Sequence, residues 1–240
     1  MRNHRLRRAK SSNIVTGGLV VHVDAADRSS YSGSGSTWFD LSGNNLNFTL
    51  TGSPTHSTNN GGYFTLNGSS QYANLAYDSK LNLTSWTVSI WVYLTSTPGS
   101  QDTIISRHYA GTSNTINYYI DCRTQFQFGS YSDSPPNNNP FIKSTTTCAA
   151  SVNVWKNVCG TFNGSTMTVY VNGTSEASAA RTWGGITNTA SGLSIGCLFL
   201  GTTPSRYTDM RVSQAAVYSR ALSSGEVSAN FNALKNRYGV

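Results

Sequence analysis

Ten acidic side chains are scattered through 240 residues, and their spacing limits the chemistry the chain can do. Retaining cleavage of a glycosidic bond needs two carboxyl groups about 5–5.5 Å apart, one as nucleophile and one as acid. Only two of the ten are glutamates, Glu176 and Glu226. Ser223 and Glu226 form the S-x-x-E pattern of a capping box, so Glu226 is committed to a helix start. Glu176 follows the Asn172-Gly173 turn with no second carboxylate near it in sequence. The aspartates Asp24, Asp27, Asp40, Asp78, Asp102, Asp121, Asp133 and Asp209 show no paired spacing. No G-x-S-x-G elbow joins a strand to a helix. The histidines His4, His22, His56 and His108 form no metal spacing, and His22, between Val21 and Val23, reads as a sheet-face residue rather than a base.

The elements that would position any site are strands. Ser85 to Thr95, SWTVSIWVYLT, alternates Trp86, Val88, Ile90, Val92 and Leu94 on one face against Thr87, Ser89, Trp91 and Tyr93 on the other, the period of a central strand. Shorter candidates run over 17–24, 48–50, 63–66, 72–75, 103–107, 115–121, 125–128, 154–162, 167–171, 193–200 and 206–218. Asn-Gly turns at 67, 163 and 172 punctuate them. About twelve strands without alternating helices predict two packed antiparallel sheets. One helix closes the chain. Val227, Phe231, Leu234 and Tyr238 give it an apolar stripe, Lys235 and Arg237 occupy its last turn, and Gly239 stops it.

Charged residues make up 11% of the chain, which fits a turn-rich β-protein. The net charge of +7 is local. Arg2, Arg5, Arg7, Arg8 and Lys10 supply five of the seventeen basic residues, leaving twelve against ten acids elsewhere. Residues 1–16 therefore read as a basic anchoring arm, suited to an acidic protein surface more than to nucleic acid, and residues 17–240 as one β-sandwich. The arm leads into no apolar segment, which argues against a standard secretion signal, and no run is long enough to span a bilayer. Cys122, Cys148, Cys159 and Cys197 lack C-x-x-C spacing. Their even number permits disulfides, but without a secretory route free buried thiols are the expectation.

The segments GLVVHVDAADRSSYSGSGSTWFDLSGNN, SWTVSIWVYL, WKNVCGTFNGSTMTVYVNG, GLSIG and VYSRALSSGEV, in that order, resemble the laminin-G-like branch of the concanavalin A-like lectin/glucanase superfamily. The resemblance spans residues 17–240 and implies an all-β, concanavalin A-like jelly-roll sandwich of two antiparallel sheets with a short C-terminal helix. Glycoside hydrolases of the superfamily place two glutamates and an aspartate on one strand, near E-x-D-x-x-E, and this chain departs from that pattern. Laminin-G-like domains often hold one calcium at a loop rim. Asp40 with Asn44, or Asp24 with Asp27, could contribute ligands, while Asx turns around Gly43 explain Asp40 and Asn44 equally well. Lectin-type sites stack aromatics on sugar rings beside amides. Trp38, Tyr109, Tyr131 and Trp183 lie in loops, with Asn137 and Asn138 following Tyr131, and each aromatic could instead pack beneath its loop.

The opening segment and the ending NFNALKNRYG are similar to domains of structural proteins from tailed bacteriophages, notably those infecting cyanobacteria. That similarity implies a non-enzymatic virion protein, a capsid decoration or tail component. It would be assembled in the host cytoplasm and displayed on the particle exterior, docked on other virion proteins through its arm and adhering to host or environmental glycans. By the same analogy it would form a homo-oligomer. A free carbohydrate-binding lectin module is the alternative, with a glycoside hydrolase more remote. No cofactor is expected apart from calcium.

Overall fold

The computed structural model describes residues 14–99, 102–108, 115–132, 140–181 and 192–240. The arm residues Arg2, Arg5, Arg7, Arg8 and Lys10 lie outside them. In chain order the strands are β1 (Leu19–Asp24), β2 (Thr37–Trp38), β3 (Phe48–Thr51), β4 (Thr55–Ser57), β5 (Tyr63–Asn67) and β6 (Tyr72–Leu75). Then follow β7 (Trp86–Leu94), β8 (Asp102–His108), β9 (Thr115–Cys122), β10 (Gln125–Ser132), β11 (Phe141–Thr147) and β12 (Trp155–Phe162). The last are β13 (Thr166–Val171), β14 (Thr174–Ala180), β15 (Leu193–Ile195), β16 (Leu198–Leu200), β17 (Thr203–Ser205) and β18 (Asp209–Tyr218), before helix α1 (Ser224–Tyr238).

These strands form the expected concanavalin A-like jelly-roll sandwich. The first sheet runs β14-β13-β12-β7-β18-β5-β4, with β1 also on β18, and the second runs β11-β10-β9-β8-β15-β6-β3-β2. The long β18 pairs with β7 on one edge and divides its other edge: Asp209–Val212 pair with β5, and the half beyond the irregularity at Ser213 pairs with β1. The hairpin between β13 and β14 turns on Asn172 and Gly173, both at positive φ, the conformation that Asn-Gly pairs adopt at low cost. Between the sheets, Trp86, Val88, Ile90, Val92 and Leu94 meet Ile120, Phe126, Phe128 and Ile142. Packing is close enough that a Cβ on Gly160 of β12 would stand 2.1 Å from the Phe128 ring.

Helix α1 covers the outer face of the first sheet. Ser223 and Glu226 form the capping box, and Gly239 ends the helix at φ 71°. Tyr238 stacks on Trp91 at 4.0 Å between ring centroids and packs on Trp155. The buried stripe is Val227, Asn230, Leu234 and Tyr238. Phe231, expected in it, is only partly buried and lies against Trp91 from the flank. Asn230 takes the buried place because it is a polar tie: its Oδ1 accepts from the Val15 amide at 2.8 Å and its Nδ2 donates to the Tyr218 hydroxyl at 3.1 Å.

Cys122 and Cys148 are joined in a disulfide, which corrects the expectation of free thiols for this pair. The register of β9, β10 and β11 brings the two together. Cys159 and Cys197 are free and buried.

Candidate functional site

The glutamates are engaged in the framework. The Glu226 carboxylate takes two bonds from Arg220, at 2.6 and 2.8 Å, and one from the Ser223 amide at 2.9 Å. These donors hold its pKa down at about 2. Glu176 of β14 accepts from the Thr146 amide and hydroxyl of β11, tying the edges of the two sheets together.

Asp40 and Asn44, the calcium candidates, close the loop after β2. The Asp40 carboxylate receives the amides of His22, Ser42 and Leu46 and the Ser42 hydroxyl. The Asn44 amide nitrogen donates to the carbonyls of Leu19 and Val20. Donors thus fill positions where a cation would need lone pairs, and the Asx-turn reading fits this loop. Asp24 is paired with Arg237 at 2.8 Å. No group of three or more His, Cys, Asp or Glu among the described residues is placed to hold a metal ion.

Trp38, expected to offer a face to a sugar, is 0% exposed. Its ring packs on Phe48 and Phe64 in the core, because the Ser/Gly-rich segment folds down: Phe39 N donates to Ser30 O and Leu41 N to His22 O. Tyr109, Asn137, Asn138 and Trp183 lie outside the described residues, and of Tyr131 only the place in β10 is described.

Several strand ends of the second sheet fall together. His108 pairs with Ile116, and Thr115 with Ser132, at one end of the second sheet. Leu193, opening β15, pairs with Leu75 at that same end, and Arg181 donates to the Phe141 carbonyl there. The end of β8, the starts of β9, β11 and β15 and the end of β10, which contains Tyr131, thus lie at one end of the second sheet. Beside them Tyr77 is exposed, its hydroxyl accepting from Asn82, whose Oδ1 takes a 2.6 Å bond from Arg107.

From this end a polar face extends over the outside of the second sheet. Since Ile120, Cys122, Phe126, Phe128 and Ile142 point into the core, the alternate residues point outward. Lys143 of β11, Gln127 of β10, Asp121 of β9 and Thr103 of β8 stand opposite one another in one row. The neighbouring row starts with Phe141, Gly129, Tyr119 and Ser106. Gly129 stands between Phe141 and Tyr119 because the neighbouring strand comes too close for a side chain: a Cβ there would stand 2.4 Å from the Pro140 carbonyl oxygen and 2.6 Å from the Phe141 Cβ. Phe141 is 37% exposed, with the Lys143 ammonium 5.7 Å from its ring centre. Past Ser106 the chain following β15 folds over the face. Ser194 donates to the Cys197 carbonyl, and the Arg206 carbonyl accepts from the Thr103 amide, setting Arg206 next to Asp121's cross-strand neighbour.

Asp121 is the group that stands out. It is 5% exposed; Oδ2 accepts from Arg123 at 3.3 Å, while Oδ1 has no hydrogen-bond partner. Burial lifts its pKa to about 6, against the opposing pull of Arg123, Arg206 and Lys143. Burial also raises the Tyr119 hydroxyl well above its ordinary value. Asn117, at an irregularity in β9, is 1% exposed and neither atom of its amide is hydrogen-bonded. They share this state with core atoms such as Trp38 Nε1 and the Tyr118 hydroxyl. Sequence reasoning missed Asp121, Gln127, Phe141 and Lys143. The signal was there in β9, where Asn117, Tyr119 and Asp121 alternate with Tyr118, Ile120 and Cys122.

With the fold in hand, comparison with known proteins is informative. A family model described as the concanavalin A-like lectin/glucanases superfamily, laminin G type, matches residues 67–228. Similar solved structures include the binding domain of Paraclostridial Mosquitocidal Protein 1, with TM-score 0.69 and 17% identity, over 90% of this chain and 52% of that one. The binding domain of Botulinum Neurotoxin DC in complex with SialylT gives 0.69 and 16%, over 91% and 52%. Domain 4 of AbnA, an extracellular arabinanase from Geobacillus stearothermophilus, in complex with arabinotriose, gives 0.64 and 17%, over 88% and 97%. The chain thus spans about half the length of the two toxin binding domains and nearly all of the arabinanase domain. No curated protein matches it in sequence.

Proposed function

For a chain that belongs to the concanavalin A-like lectin/glucanases superfamily, we propose the role of a glycan-binding, non-catalytic module, with the outer face of the second sheet as its binding surface. The observation that carries this reading is the exposed Phe141 ring with the Lys143 ammonium 5.7 Å from its centre, set beside the cross-strand row of Gln127, Asp121 and Thr103. An aromatic face and a few convergent polar groups are what a sugar ring with its hydroxyls requires. The complexes of similar domains with SialylT and arabinotriose support it as analogy. The engagement of both glutamates in framework contacts supports the non-catalytic part. A glycan array probed with the purified full chain tests the reading. Binding that is lost in Phe141→Ala, with thermal stability retained, is the expected result, and a blank array with folded protein overturns it.

The finer reading is a phage virion component docked through the basic arm. Where the described chain begins, the Val15 amide bonds to Asn230 of α1 and its carbonyl accepts from the Tyr218 hydroxyl, with Ile14 packed in the same cluster. The arm thus joins the molecule on the outer side of the first sheet, and an arm-anchored module would present the second sheet away from its support. Replacing Arg2, Arg5, Arg7, Arg8 and Lys10 by glutamine tests this: loss of particle incorporation with glycan binding intact is expected, and unchanged incorporation contradicts it.

A further inference from the structure

Charge on the outer face of the second sheet is lopsided. Asp121 is the one carboxylate in its row, and three cations surround it from three elements. Arg123 reaches it directly from the turn after β9. Lys143 stands beyond Gln127 in the same cross-strand row. Arg206 is fixed by the bond from the Thr103 amide to its carbonyl, one strand away on the other side. Lys143 is exposed and Arg123 retains about a third of its side-chain surface, so both can meet a ligand. Asp121 is already paired with Arg123, and among the described residues no ion pair reaches Lys143, whose ammonium stands over the Phe141 ring.

The geometry points to an acidic sugar as the ligand of this face: its anionic group, carboxylate or sulfate, is held by Lys143 and Arg123 while its ring lies on Phe141. Charge-assisted bonds from a guanidinium to an oxyanion are the stronger class of hydrogen bond, and a partly enclosed face screens them less than open solvent does. A neutral sugar of the same shape would leave the Lys143 charge uncompensated. This inference rests on the glycan-binding reading above and adds the ligand's charge to it.

The experiment measures affinity of the full chain for three oligosaccharides of equal length: an oligogalacturonate, the neutral galactose oligomer, and its sulfated form. At least one acidic form is expected to bind about tenfold or more tightly than the neutral one. Lys143→Gln and Arg123→Gln are each expected to erase most of that preference while leaving the melting temperature in place. The relative affinity of the oligogalacturonate and the sulfated form then tells which acid group the site takes. Equal affinity for acidic and neutral forms overturns the inference and leaves the glycan-binding reading standing. Absence of binding to all three, together with a blank glycan array, overturns both. Because the arm is itself polycationic, the same titrations are run with its five basic residues changed to glutamine. A preference that disappears with the arm and survives Lys143→Gln also overturns the inference.

Discussion

The two outer faces of this sandwich are finished in different ways. On the first sheet, helix α1 lays Tyr238 on Trp91, and the polar atoms beneath it are matched. Tyr218 donates to the Val15 carbonyl and receives from Asn230, and the Tyr238 hydroxyl donates to Ser213. On the second sheet, residues equally buried keep unmatched atoms, Asp121 Oδ1 and the Asn117 amide. The chain completes one face with its own terminus, but unmatched buried atoms are not confined to the other face: His22 Nε2 of β1, in the first sheet, also lacks a partner. What distinguishes the second face is the exposed Phe141 ring with the Lys143 ammonium beside it.

The contrast is broken most forcefully at the helix. Tyr238→Ala removes a ring held between Trp91 and Trp155 and is expected to cost about 3–5 kcal/mol in chemical denaturation. Glycan affinity of the remaining folded protein should be unchanged. A loss below about 1 kcal/mol would mean the helix is an ornament rather than part of the core.

Asp121→Asn probes the other face with the opposite sign. Its carboxyl titrates at about 6 in the fold, against an ordinary value of 3.8, because burial disfavours the charge. Between roughly pH 4 and 6 the folded protein keeps a proton that the unfolded chain has released, so stability declines as pH rises through that window. The shift amounts to roughly 2–3 kcal/mol. Asp121→Asn should remove that slope and stabilise the unliganded protein at pH 7 by an amount of that order. A pH–stability profile identical to that of the parent between 4 and 6 would contradict the assignment.

The smallest effect is expected at Glu226, whose ion pair with Arg220 is largely exposed to solvent. Glu226→Gln can still cap the helix and should cost less than about 1 kcal/mol. Its depressed pKa means that this contribution is present above the ordinary carboxylate range and fades as pH falls toward 2. Acid titrations of the parent and Glu226→Gln should therefore converge only below about pH 2.

Local pattern made much of the frame legible. The alternation in β7, the Asn-Gly hairpins at 163 and 172 and the S-x-x-E helix start each depend on residues close in sequence, and each stands where it was read, whereas Asn67-Gly68 instead carries the chain from β5 of one sheet to β6 of the other. What escaped depends on contacts across the chain. Phe231 outranks Asn230 by hydrophobicity, yet Asn230 is buried because Val15, 215 residues away, needs its oxygen. Trp38 lies in a segment with loop composition, but the loop folds under and the ring becomes core. The Cys122–Cys148 link and the Lys143–Gln127–Asp121–Thr103 row exist only once β8 to β11 are in register. A polar residue on an outward strand position looks like any solvated residue until its neighbours are known.

The central claim, that the ligand face is the outside of the second sheet, is tested most directly by titrating isotope-labelled protein with an oligosaccharide that binds and following amide resonances. The account predicts that Asp121, Gln127, Gly129, Phe141 and Lys143 shift together while the Trp91 indole and residues 227–238 of α1 stay still. Shifts confined to the helix and the outer face of the first sheet, with Asp121 and Lys143 unmoved, would contradict it.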